Sequence, residues 1–122
     1  MSGYHEPNCA TTILNPRQIT AAAGDPQAQG RIVYVSDDRK VSHGVWESTP
    51  GTFEMSFAND DSGLVLAGEA IAHFADGTTW RLTEGTLYTF KAGTSIRLEI
   101  IRTWRKVFFN YHPGGTDLKE GF

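Results

Sequence analysis

From residue 31 to residue 111 turn signals recur about every eight to twelve residues, the cadence of an all-strand chain. They are Asp37-Asp38, Pro50-Gly51, the acidic loop at 58–62, Gly68-Glu69, Asp76-Gly77, Glu84-Gly85 and Ala92-Gly93. Between them lie short runs rich in β-branched and aromatic residues, at 31–36 (RIVYVS), 41–47, 52–57, 78–83, 87–90 and 96–111. Such runs favour extended backbone, because branched side chains pack well on a pleated surface. Helical periodicity is nearly absent. A chain divided in this way folds as a β-sandwich or a small barrel, each strand burying one face.

The stretch 46–68 organises the rest. It holds two apolar runs, the Pro50-Gly51 corner and the acids Asp60 and Asp61. Within it Phe53, Met55 and Phe57 alternate with Glu54 and Ser56, so the two sets occupy opposite faces of one strand. The run LVLAGEAIAHFA is interrupted at Gly68-Glu69, which predicts a kink or a tight turn. Residues 96–111 read as one long extended run or two strands with a bulge. The chain divides into an arm (1–30), a barrel (31–112) and a loose tail (113–122). The arm either lies over the sheet or pairs with a partner subunit, and 18–23 is compatible with one short helix started by Asn15-Pro16.

At 122 residues the chain supports a single core, and 39% hydrophobic with 20% charged residues marks it as globular. A net charge of −3 argues against a binder of nucleic-acid backbone, which needs a basic face. No apolar run reaches the roughly 20 residues of a membrane span. The N-terminus lacks the basic start and apolar core of a secretion signal. Cys9 is the single cysteine, so no intramolecular disulfide forms. It has no neighbouring base in sequence to make it a nucleophile. These features predict a cytoplasmic protein without nucleic-acid or membrane partners.

Two spacings then resemble the cupin superfamily. Asp61 and Gly68 are separated by six residues, as are the acid and glycine of the first cupin motif, where the family usually has Glu. Gly85 and Gly93 stand at the glycines of the second motif, whose proline is here Lys91 and whose histidine is Ile96. The runs VSHGVWESTPGTFE, VLAGEA, FKAGTS and RKVFFNY are similar to those of small cupins like (S)-ureidoglycine aminohydrolase. The resemblance implies a double-stranded β-helix, the cupin jelly-roll barrel, with an N-terminal arm. It also implies a small-molecule ligand.

Metal-binding members of the superfamily converge two histidines, a glutamate and a later histidine. With four residues between, the positions before Asp61 are Ser56 and Glu54; with three between, they are Phe57 and Met55, which cannot ligate. The resulting set of Glu54, Ser56, Asp61 and Ile96 contains no imidazole. It predicts no resident metal, beyond a hard divalent cation held weakly at Glu54 and Asp61. Glu54, taken as inward, and Asp61 are the candidate acid–base pair; for Asp61 the alternative is a cap within the turn at 59–62. Trp46, Ser56, Trp104 and Arg105 are the candidate substrate-binding residues, with core packing the alternative for Trp46. Arg102 and Arg105 either face the cavity or are solvated charges.

Two functions follow from the resemblance. One is a cupin that binds a small polar metabolite, as an aminohydrolase-like enzyme of ureide or nitrogen metabolism. The other is a metal-free, non-catalytic binding or regulatory module. A homodimer is expected in either case, with Phe53, Met55, Phe57 and the run 107–109 supplying surplus apolar surface.

Overall fold

The computed structural model describes residues 2–3 and 8–122; the other residues of the expected arm lie outside the described residues. The strands are β1 (Asn15–Arg17), β2 (Ala28–Val35), β3 (Val41–Ser48), β4 (Gly51–Ser56), β5 (Asp61–Phe74), β6 (Thr79–Thr83), β7 (Leu87–Phe90) and β8 (Ser95–Tyr111). All pairings are antiparallel within one eight-stranded sheet of order β1-β2-β3-β8-β5-β6. β4 adds to β8, and β7 adds to β5. No helix forms among the described residues, and the expected helix at 18–23 is irregular backbone instead. Ala22 and Ala23 spend their backbone groups on Thr52, so the segment is laid along β4 rather than coiled on itself.

β8 organises the barrel. Its first half pairs with β4 and the end of β5; its second half pairs with β3 and the start of β5. It is one strand, without the break between two that the sequence allowed. β5 bends against it through register shifts between Val65 and Ala70. The Gly68-Glu69 interruption is therefore a kink within one strand, not a turn. Gly68 carries it, with φ +85°.

Alternation along β8 sorts the two faces. Ile96, Leu98, Ile100, Trp104, Lys106 and Phe108 are buried, and together with Phe53, Val65, Ala70, Ala72 and Leu82 most of them make the interior. Arg97, Arg102 and Phe109 are on the outside. Each fully buried Leu or Phe contributes roughly 1.5–3 kcal/mol over its exposed state, so the apolar set goes in. That corrects the expectation for β4: Phe53 and Met55 pack inward with Phe57, while Glu54 and Ser56 are exposed. Of the apolar residues expected as surplus surface, Phe53 is buried and Met55 and Phe57 are half-buried.

The arm and the tail are both tied down. Arg105 Nε meets Glu47 Oε2 at 2.8 Å, and its Nη1 donates to the carbonyls of Cys9 (2.9 Å) and Thr12 (3.2 Å). Gln29 donates to the other Glu47 oxygen at 2.8 Å. The tail is not loose. Arg39 donates to the carbonyls of Thr116 and Leu118, Gly121 N donates to Ile32 O at 2.7 Å, and Val35 N donates to Glu120 at 2.9 Å.

Burial works to raise the Glu47 carboxyl, but the hydrogen bonds from Arg105 and Gln29 outweigh it and hold it below its ordinary 4.5. A carboxyl depressed in the folded state stabilises fully above the unfolded value, and that contribution is lost as pH falls through the folded one. Acidification through that lowered value should therefore release the arm. Cys9 alkylation by a thiol reagent that reacts at low pH should accelerate there in the wild type. Glu47→Gln should accelerate it at neutral pH as well; an unchanged rate would show that the arm does not depend on this pair.

Candidate functional site

A cavity of about 350 Å³ opens between β3, β4, β5 and β8. Trp46, Phe53, Met55, Leu98 and Phe108 give it apolar walls. Ile19 and Thr20 from the arm and Leu118 from the tail reach over its mouth. Its polar groups are Asp61, Lys106 and Asn110, with Glu54 at the rim. The volume suits a compact small molecule.

Lys106 is the unusual residue here. Its ammonium is buried on a barrel interior otherwise built of apolar side chains. It follows Trp104 by two residues on β8 and pairs in register with Trp46 on β3 and Val65 on β5, so the pleat directs it inward. Its Nζ lies 5.7, 5.6 and 5.5 Å from the ring centroids of Trp46, Tyr88 and Trp104. Each such contact attracts a cation to the ring's electron-rich face, and more strongly when water is excluded. Asp61 Oδ2 is 3.9 Å from Nζ, an ion pair longer than a hydrogen bond. With its amide turned to satisfy both neighbours, Asn110 donates to Asp61 Oδ1 at 2.9 Å and to the Phe109 carbonyl at 3.1 Å.

Burial acts to neutralise Lys106, but Tyr88 and Asp61 outweigh it and hold the amine above its ordinary range. Burial raises the Tyr88 phenol too, and the Lys106 charge only partly offsets this. A phenol carries charge only when ionised, so Asp61 is the carboxylate that offsets the burial of Lys106. The Tyr88 hydroxyl is buried and lacks a well-formed hydrogen bond.

Of the residues expected at the site, Trp46 and Asp61 line this cavity directly. Glu54 borders it from an exposed position on the outward side of β4. Ser56 does not reach it; its hydroxyl bonds that of Ser95 at 2.9 Å on the outer face. Trp104 is a fully buried core residue whose Nε1 donates to the Leu82 carbonyl at 3.1 Å, and it meets the site only as a wall around Lys106. Arg105 points away from the interior and clamps the arm. Lys106, Tyr88 and Asn110 were missed. The signal for Lys106 was parity: on a strand, Lys106 shares a face with Trp104, and Arg105 cannot.

The fold family implies a metal at this position, and the residues present do not fit one. With Phe53, Met55 and Phe57 on the inner face, the two positions given by the three-residue spacing before Asp61 are the inward ones, and they are thioether and phenyl. Ile96, at the third ligand position, is 4% exposed within the apolar core. Only Asp61 remains, and it already faces an ammonium. Among the described residues no group of three or more His, Cys, Asp or Glu is arranged to hold a metal. His73 contacts Glu99 at 3.1 Å, and His43 packs between the Tyr34 and Phe109 rings.

The family model of the EutQ-like cupin domain matches residues 35–108, more than half of the chain. The chain belongs to that family. Among solved structures it resembles the EutQ protein of Clostridium difficile, with a TM-score of 0.65 at 15% identity over 79% of this chain and 82% of that one. A protein of unknown function from Pseudomonas syringae pv. tomato superposes with a TM-score of 0.75 at 15% identity, over 82% of this chain and 45% of that one. A cupin superfamily protein from Desulfitobacterium hafniense gives 0.61 at 15% identity, over 79% and 84%. These likenesses carry the cupin fold. No curated protein matches the sequence.

Proposed function

We propose that this EutQ-like cupin domain is a metal-independent binding module whose barrel mouth takes one small, uncharged polar metabolite. The observation that carries the reading is a buried donor, Lys106, beside a carboxylate acceptor, Asp61, in a mainly apolar cavity. The two charges offset each other and Glu54 adds negative charge at the rim, which disfavours an anionic ligand. A head group that both accepts and donates hydrogen bonds, with a short apolar flank, complements this lining. Amides and ureides have that chemistry, in keeping with the nitrogen-rich ligands that the sequence resemblance implies.

Binding without turnover is favoured over hydrolysis. A general acid or base works best with a pKa near the operating pH. Lys106 and Tyr88 are both displaced upward, away from neutrality. Thermal-shift measurements with short amides, ureides, carboxylates and amines test the reading, with ammonia release followed in parallel. At ten times the Kd an amide or ureide should stabilise the protein by about 1.4 kcal/mol, or roughly 5–6 °C in Tm, without ammonia release. Stabilisation by none of them, or sustained ammonia release, would overturn it.

A further inference from the structure

The aromatic walls around Lys106 have the composition of a cage for a ligand's ammonium group. Here the cage is already filled, by the chain's own side chain. The ammonium lies within 5.7 Å of three ring centroids, and its nearest carboxylate oxygen is 3.9 Å away. The positions that would surround a metal are the apolar residues Met55, Phe57 and Ile96, while the one remaining acid, Asp61, faces Lys106. The Tyr88 hydroxyl beside it, 5% exposed as a residue, is buried without a well-formed partner. A fixed cation and a carboxylate thus face each other in a cavity whose only other charge is Glu54 at the rim, with the Tyr88 ring packed behind the cation.

We propose that Lys106 is the resident cation of this cupin: a tethered ammonium that takes the place of a metal ion and binds the carbonyl oxygen of the cavity's ligand. The ligand half of this inference rests on the binding reading above; the resident-cation half does not. Tethering explains why the metal-ligand positions could become apolar without emptying the cavity of positive charge. It also means that the cage is closed to a ligand cation as long as the lysine is there.

Two probes separate the halves. Isobutyramide presents a neutral carbonyl on a branched apolar body. n-Propylammonium matches the three methylenes and the amine removed by Lys106→Ala. Isobutyramide should bind the wild type, as followed by Trp fluorescence or amide chemical shifts, and bind Lys106→Met at least tenfold more weakly. Lys106→Ala should melt lower than the wild type, regain several degrees with n-propylammonium, and recover isobutyramide binding in its presence. The wild type should show no stabilisation by n-propylammonium.

Equal isobutyramide affinity in the wild type and Lys106→Met would overturn the ligand half. Failure of n-propylammonium to stabilise Lys106→Ala, or stabilisation of that variant by Mn²⁺ or Zn²⁺ instead, would overturn the resident cation. If isobutyramide does not bind the wild type, the reading of the cavity as a site for neutral polar ligands fails. Rescue of Lys106→Ala by n-propylammonium would then still support the cation.

Discussion

Trp104→Ala should destabilise the protein by about 4 kcal/mol, a large share of the 5–15 kcal/mol that holds a typical domain. The indole is fully buried and fills the space between β3, β6, β7 and β8. Its ring stacks on Tyr88 at 6.2 Å and meets Trp46 edge-on at 6.1 Å. Removing it leaves a void too well framed by strands to collapse, and it strips the Leu82 carbonyl of its buried donor. It also removes one ring from around Lys106, whose charge then lies against empty space. Trp104→Phe keeps most of the volume and loses the hydrogen bond, so about half the cost is expected. Urea unfolding of the three proteins measures both values. A loss below about 1.5 kcal/mol for Trp104→Ala would mean that the interior repacks and that Trp104 does not hold the strands together.

Gly68→Ala should cost a similar amount, about 3–5 kcal/mol, by a different route. At φ +85° a side chain is strained on its own account. Here there is also no room: a Cβ would stand 2.0 Å from the Thr103 carbonyl oxygen and 2.8 Å from Trp104 Cα, both backbone atoms of the neighbouring strand. The clash can be relieved only by separating β5 from β8 at the bend, where the ladder is already irregular. Gly77→Ala is the control, because it shares the positive φ but has nothing within 4 Å of the added carbon. It should cost about 1–2 kcal/mol. If the two variants melt together, the bend tolerates a side chain and the close approach is not what fixes it.

The strands and turns were legible in the sequence because both are local. The run at 87–90 coincides with β7, and Asp76-Gly77 closes the β5–β6 hairpin. The second strand begins three residues earlier than expected because Ala28, Gln29 and Gly30 pair with Ser48, Glu47 and Trp46, partners that no local preference announces. The faces were harder. Alternation divides 53–57 into two sets without saying which is inside, and the motif spacing allowed two offsets from Asp61. The apolar set wins because burying Glu54 uncompensated would cost far more than exposing it. Trp104 and Arg105 were expected at one site although adjacent strand residues face opposite ways. Lys106 could not be read as interior from its type, since lysines are almost never fully buried unless paired. Its partners come from β3, β5 and β7, and only the closed barrel brings them together.

The seventeen residues of β8 are the partner that β3, β4 and β5 have in common. Without it the β1–β2–β3 group and the β5–β6–β7 group share no ladder at all, and β4 pairs with no other strand. During synthesis the earlier hairpins can form as they emerge from the ribosome, but they stay unjoined until β8 follows them. Closure of the barrel therefore waits on β8, which follows in chain order every strand that it joins.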